Sequence, residues 1–255
     1  MRPFHIITIV FLVALCLLIW LCSANQISWW WLLPLFVLYS GLLVLGAIYI
    51  QWNFYFVSHN SGSNRKWICL TFDDGPAGET ANILDILKEK QVQAAFFSIG
   101  KNVVSQPDIV QRWKDEGHIV GNHSYYHGFN FDWKTASAMA KEINDTNAAI
   151  TSIIGKTPRL FRPPYGVTNP NLRTAIRKTD MVSIGWNVRS FDTTAKNHQE
   201  LSNRILDKLR GGDIVLLHDS MAITREILTE LIDRARQKGF IFVGLDKLLD
   251  LDPYA

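Results

Sequence analysis

Asp213-Ile214-Val215-Leu216-Leu217-His218-Asp219 is the stretch on which the fold is decided. Four consecutive apolar residues between charged ones are too short for a free-standing helix. They also lack the period-two alternation of a half-exposed strand, and so match a parallel strand buried on both faces. Residues 67–72, 94–99, 118–121, 159–162, 181–186 and 240–243 are further strand candidates. Amphipathic stretches separate them, at 79–90, 107–116, 133–154, 171–178, 198–209 and 225–238. In the first of these, Ile83, Leu84 and Leu87 form one apolar stripe, and Gly117, Gly155 and Gly239 punctuate helix ends. Strand and helix thus alternate over residues 65–255, which predicts an α/β domain with a parallel sheet. A barrel-like closure and an open, doubly wound sheet both fit this alternation. No GxGxxG or P-loop pattern occurs, so neither a dinucleotide nor a nucleoside triphosphate site is expected.

The 255 residues carry a formal charge of +3, with 48% apolar and 19% charged residues. Those averages exclude a disordered tail, a collagen-like fibre and a strongly basic nucleic-acid binder, and no nucleic-acid partner is expected. They also conceal a split, because Arg2 is the only charged residue before Arg65. Residues 6–22 are almost pure hydrocarbon, and after Ser23-Ala24-Asn25-Gln26 a second run covers 27–50. At 1.5 Å per residue the second run can cross a ~30 Å bilayer core. Trp29-Trp30-Trp31 at one end and Tyr49, Trp52 and Tyr55 at the other fit interfacial aromatic belts. The expectation is a two-pass membrane hairpin with its linker over residues 1–64, then a globular domain over 65–255. The competing reading of the first run is a signal peptide cleaved after Cys22-Ser23-Ala24. Arg2 before the first pass and Arg65-Lys66 after the second point the domain to the cytoplasm. Cys16, Cys22 and Cys69 show no disulfide or metal spacing and are expected as small buried hydrophobes.

Polar residues cluster just past the strands, where α/β folds place their sites. They are Thr71-Phe72-Asp73-Asp74-Gly75-Pro76, His123-Ser124-Tyr125-Tyr126-His127, Arg162-Pro163-Pro164-Tyr165-Gly166 and His218-Asp219. Asp73 and Asp74 read alone as a turn or as a charged pair that a cation would relieve. His123 and His127, at i and i+4, would share one face of a helical turn that Ser124 could cap. Arg162 is either a surface cation or part of a site, and His218 either a core histidine or a proton donor. Together, two His and one Asp make a three-ligand set for a borderline divalent metal with one position left for water. A second Asp and a third His remain for proton transfer, an inventory that fits metal-assisted hydrolysis of an amide or ester.

These motifs resemble the polysaccharide deacetylase family (carbohydrate esterase family 4, the NodB homology domain), and the resemblance runs from Lys66 to about Leu249. It implies a distorted (β/α) barrel with about seven parallel strands. Asp74, His123 and His127 would hold a divalent metal, zinc foremost, with cobalt or nickel as alternatives. Asp73 would be the base, Arg162 its partner, His218 the acid, and the Tyr165 N–H an oxyanion donor. Leu216, with Trp186 and Asp192, would form the substrate pocket. The fourth motif departs from the family pattern Asp-x-x-Asp-Trp. Here Arg189-Ser190-Phe191-Asp192-Thr193 puts Arg189 where a carboxylate usually orients the acid and Thr193 where a Trp usually walls the pocket. The implied activity is removal of N- or O-linked acetyl groups from a polysaccharide, a peptidoglycan-type glycan or a lipid-linked sugar at a membrane. Such glycans usually lie outside the cytoplasm, opposite to the charge bias. The alternatives are a deformylase or deacylase of a lipid-linked amino sugar, and a non-catalytic glycan-binding module.

Overall fold

The computed structural model describes residues 2–255. Helices α1 (Pro3–Ser23) and α2 (Leu32–Ile48) come first, the second entered through a 3-10 turn at Trp29–Trp31. Both are long and apolar enough to cross a membrane. They hold each other through Phe11, stacked 4.0 Å from Tyr39, and through the hydroxyls of Thr8 and Tyr39, 3.0 Å apart. Their outer sides face no other part of the chain, and Val10, Val13, Trp20, Val37 and Leu38 are each more than 60% exposed. Cys16 is exposed as well, contrary to the expectation of burial, whereas Cys22 and Cys69 are buried.

Eight parallel strands follow: β1 (Trp67–Asp73), β2 (Ala94–Ser98), β3 (Ile119–Asn122), β4 (Leu160–Phe161), β5 (Val182–Ser183), β6 (Val188–Arg189), β7 (Ile214–His218) and β8 (Ile241–Phe242). Their order is β5-β4-β3-β2-β1-β7-β6, with β8 beside the start of β1. Helices α3 (Thr80–Glu89), α4 (Gly100–Ser105), α5 (Pro107–Asp115), α6 (Ala136–Ile154), α7 (Pro170–Lys178), α8 (His198–Lys208), α9 (Ala222–Gln237) and α10 (Leu245–Leu249) complete the distorted (β/α) barrel. Strand β6 and the short helices α4 and α10 were not expected, because two to six residues carry no readable period. Helix α6 starts at Ala136 rather than near 133 because the Thr135 hydroxyl caps it, accepting the Ala138 N–H at 3.3 Å.

Alternation along β1 and β7 sorts their side chains. Leu70, Phe72, Val215 and Leu217 point outward into the layer shared with α3, α5, α8 and α9. Cys69, Ile214 and Leu216 point inward, among Ala95, Phe97, Ile119, Leu160 and Trp186. A third cluster, Phe54, Tyr55, Phe56, Phe131, Leu172 and Ile176, takes Phe4, Ile7, Leu43 and Ala47 of the hairpin against it.

Residues 51–64, read as linker, and Ile50, read as the end of the second pass, are built into the barrel. Ile50 is 1% exposed and belongs to the interior cluster. The His59 N–H donates to Ser183 O at 2.9 Å, and His59 O accepts the Gly185 N–H at 2.9 Å. The Gly62 N–H reaches Gly212 O at 2.8 Å. This segment therefore runs from the β5 edge to the foot of β7.

Trp113 of α5 is fully buried, with its ring 4.8 Å from that of Phe96 in β2. Trp113→Ala is expected to cost about 3–5 kcal/mol, read as a lower denaturant midpoint of the full chain in detergent.

Candidate active site

The inward face of the barrel sets the site. Thr71 and Asp73 follow Cys69 into the interior at every second position, and the register places Asp73 beside His218 of β7. Asp74 should then point away. Its backbone lies in the left-handed region, φ +75, which turns its carboxylate back beside that of Asp73. Asp73 Oδ2 and Asp74 Oδ1 each stand 3.7 Å from His123 Nε2, and Asp74 Oδ1 is also 3.7 Å from His127 Nε2. Strain of this kind at a non-glycine residue is characteristic of functional sites.

His123 and His127 do not share a helical turn, contrary to the spacing argument. They lie in an irregular loop with Ser124 at φ +66 and His127 at φ +49, which brings the rings within 4.7 Å. Ser124 does cap the turn, since its hydroxyl accepts the His127 N–H at 3.1 Å. The His123 Nδ1–H donates to Arg162 O at 2.7 Å, which leaves the Nε2 lone pair facing Asp74. Burial, with His127 nearby, lowers the His123 pKa to about 3, so the ring is neutral. Ligand atoms of Asp74, His123 and His127 lie within 4.8 Å of one another. Asp74 Oδ1 is buried with no hydrogen-bond partner among the described residues. An unpartnered carboxylate oxygen between two imidazole nitrogens is the donor set of a divalent metal site, so these residues fit the cation.

Arg162 is not a surface cation. It is fully buried in the barrel, 4.1 Å above the Phe97 ring. Its Nη1 donates to Asp73 Oδ1 at 2.8 Å and Thr71 Oγ1 at 2.7 Å, and its Nη2 donates to Gly185 O at 2.9 Å. Burial raises the Asp73 pKa even though Arg162 and His218 pull against it. The His218 Nδ1–H donates to Asp192 Oδ1 at 2.8 Å, and Asp192 Oδ2 accepts the His218 N–H at 2.7 Å. Burial opposes the charged imidazole, but the Asp192 hydrogen bond and charge, helped by Asp73 and Asp74, raise it to about 9. His218 is therefore protonated at neutral pH.

A cavity of about 220 Å³ is lined by Asp73, Asp74, His123, His127, Tyr165, Gly166, Trp186, Arg189, Thr193, Leu216 and His218. Asp192, expected among the pocket residues, is fully buried behind His218 and does not line it. Tyr165 adopts φ +58, its ring 4.6 Å from that of His127. Gly166, at φ +71, admits the Trp186 ring into the space a side chain would take.

One acid, Glu142, carries no signal in the motifs, and a second, Asp219, stands in the last of them without a role. Glu142 of α6 is 5% exposed, pairs with Lys134, and accepts the Tyr125 and Tyr126 N–H groups at 3.2 and 3.1 Å, pinning the loop of His127. Its signal was a carboxylate among the inward positions Met139, Ile143 and Thr146 of an amphipathic helix. Asp219 accepts the Thr80 hydroxyl at 2.7 Å beneath Gly75, and burial pushes its pKa up to about 7.

The polysaccharide deacetylase family profile matches residues 60–184. The chain is 36% identical over 186 residues to the peptidoglycan-N-acetylmuramic acid deacetylase PdaC of Bacillus subtilis, covering 72% of this chain and 39% of that protein. A peptidoglycan-N-acetylglucosamine deacetylase of Bacillus cereus is 33% identical over 196 residues, covering 72% of this chain and 71% of the relative. The crystal structure of the Bc1960 peptidoglycan N-acetylglucosamine deacetylase superposes with a TM-score of 0.72 at 30% identity, covering 77% of this chain and 94% of that one. The chain belongs to the polysaccharide deacetylase family.

A histidine raised to about 9 stabilises the fold fully below its unfolded value of about 6.5, and the contribution is lost as pH rises through about 9. Asp192→Asn should bring the His218 titration down toward 6.5, followed by its imidazole NMR signal.

Proposed function

We propose that this chain is a metal-dependent hydrolase that removes acetyl groups from an acetamido sugar of a glycan. The observation that carries the reading is that Asp73 and His218 line the same pocket as the candidate metal-ligand set Asp74, His123 and His127. In it Asp74, His123 and His127 hold the ion. When bound, a divalent ion supplies Lewis-acid polarisation of the acetyl carbonyl and acidifies water. Zinc suits two imidazoles and a carboxylate, with cobalt and nickel as competitors.

The rest of the chemistry belongs to the chain. Asp73 takes the proton of the attacking water, while Arg162 holds the other carboxylate oxygen in place. The Tyr165 backbone N–H faces the oxyanion that develops on the carbonyl. His218, charged and held by Asp192, gives its proton to the departing nitrogen. Leu216 and Trp186 receive the acetyl methyl group. The named relatives act on peptidoglycan, and a peptidoglycan-type glycan is the default substrate class. A deformylase or deacylase acting on a lipid-linked amino sugar is favoured by Arg189 and Thr193 at the rim. Retention of both proton-transfer groups speaks against a non-catalytic glycan-binding module.

Helices α1 and α2 serve as a membrane anchor of two passes, and residues 65–255 carry the catalytic groups. The apolar outer faces support this, since a bilayer covers such a surface and water does not.

Full chain in detergent micelles, loaded with zinc, should release acetate from N-acetylated chitooligosaccharides, and a chelator should abolish the release reversibly. Asp74→Ala should lower both metal content, by elemental analysis, and turnover, the latter by at least about a hundredfold. Undiminished metal-dependent turnover in that variant would sink the site assignment. A reporter fused after Ala255 and active on only one side of the membrane fixes the substrate pool.

A further inference from the structure

Acetyl hydrolysis leaves two features of the pocket without a task. The first is Arg189. It lines the cavity, with its guanidinium 4.8 Å from the centre of the Phe191 ring and 6.0 Å from that of Trp186. Stacking on aromatic faces occupies the plane of the group and leaves its N–H fork directed outward. The acids of the pocket do not pair with it: Asp73 is held by Arg162, and Asp74 belongs to the candidate metal-ligand set with His123 and His127. A preorganised guanidinium at a substrate rim is matched to phosphate or carboxylate oxygens.

The second is the absence of slack between pocket and hairpin. The Thr168 N–H donates to Ala47 O, at the C-terminal end of α2, at 2.9 Å, and its hydroxyl donates to Gly46 O at 3.2 Å. Thr168 is two residues past Gly166 of the pocket wall, at most about 7 Å of chain. Gln51 Nε2 donates to Trp186 O at 2.9 Å, so a second wall residue is tied to the same exit point. On the other side of the hairpin Phe4 packs 5.2 Å from Tyr55, and Arg173 Nη1 lies 2.8 Å from His5 Nε2. A flexible tether would let the domain range over tens of ångströms. This attachment holds the pocket rim at the surface where α2 leaves the bilayer.

Resting on the deacetylase reading, we infer that the pocket takes an acetamido sugar whose neighbouring carbon carries the phosphate of a membrane lipid, with Arg189 on that phosphate. In a 2-acetamido sugar the anomeric carbon adjoins the carbon bearing the nitrogen, so an anomeric phosphate falls on the rim of the cavity that holds the acetyl group. A carboxylate on the other neighbouring carbon offers similar oxygens. The fixed hairpin decides for the lipid phosphate, because lipid phosphates lie at the surface where the rim is held. Hydrolysis consumes one water: the C–N bond breaks, a C–O bond forms on the acetyl carbon, the nitrogen gains a proton, and the phosphate ester is untouched.

The test uses zinc-loaded full chain in phosphatidylcholine vesicles and measures acetate released from four probes. These are N-acetylglucosamine, its 1-phosphate, N-acetylmuramic acid, and polyprenyl diphosphate N-acetylglucosamine in the same bilayer. The 1-phosphate should show a KM about tenfold below that of the neutral sugar, equivalent to about 1.4 kcal/mol. The lipid-borne probe should exceed the 1-phosphate in kcat/KM by a further hundredfold. Arg189→Gln should cost the two phosphate-bearing probes about ten times more than the neutral one, and Arg189→Lys should restore part of that difference. Equal losses on all probes, or a soluble probe turned over as well as the lipid-borne one, would overturn the inference. Preference for N-acetylmuramic acid would overturn it in favour of a carboxylate. No acetate from any probe would overturn the deacetylase reading itself.

Discussion

A guanidinium shut inside a barrel is the constraint on which the rest of the structure depends. Arg162 enters from the end of β4, crosses the interior over Phe97, and ends on Asp73 and Thr71 of β1 and on the carbonyl of Gly185. Removing one partner of a buried pair leaves an uncompensated charge at a cost of about 3–5 kcal/mol, so neither Arg162 nor Asp73 is free to vary alone. The same residue positions His123 through its carbonyl oxygen. The side chain of Arg162 thus holds Asp73, while its backbone carbonyl holds His123.

Charge then divides the remaining work. His218 of the neighbouring strand β7 and Asp192 form a second ion pair, backed by the Thr224 hydroxyl, which donates to Asp192 at 2.7 Å. Asp73 and His218, register partners on adjacent strands, are each held by a partner of their own, Arg162 and Asp192. Arg189 lines the cavity, and Asp192 holds the His218 ring and its backbone N–H.

Much of this was legible in the sequence. The buried parallel strands showed as unbroken apolar runs, and the loops past β1, β3, β4 and β7 held the clustered titratable groups. Local backbone geometry was not legible. Period-two alternation places Asp73 and Asp74 on opposite faces, and only the positive φ of Asp74 reunites them. Helical spacing brought His123 and His127 together for the wrong reason, because their loop is pinned by Glu142 from a distant helix. Strand β6 left no trace, since two residues carry no period. The place of Asp192 behind His218, rather than in the pocket, depends on where the turn after β6 falls.

The passage of residues 50–62 across the barrel changes what the anchor is. A leader that merely tethers can be cut or exchanged without consequence to the body it carries. Here the chain leaving α2 supplies Ile50 to the interior and His59 to the edge of β5 before the first strand begins. The two apolar helices and the barrel are consequently packed as one body. A chain lacking residues 50–62 would lose Ile50 from the interior and the backbone pairing of His59 at β5, so the barrel depends on a segment that precedes its first strand.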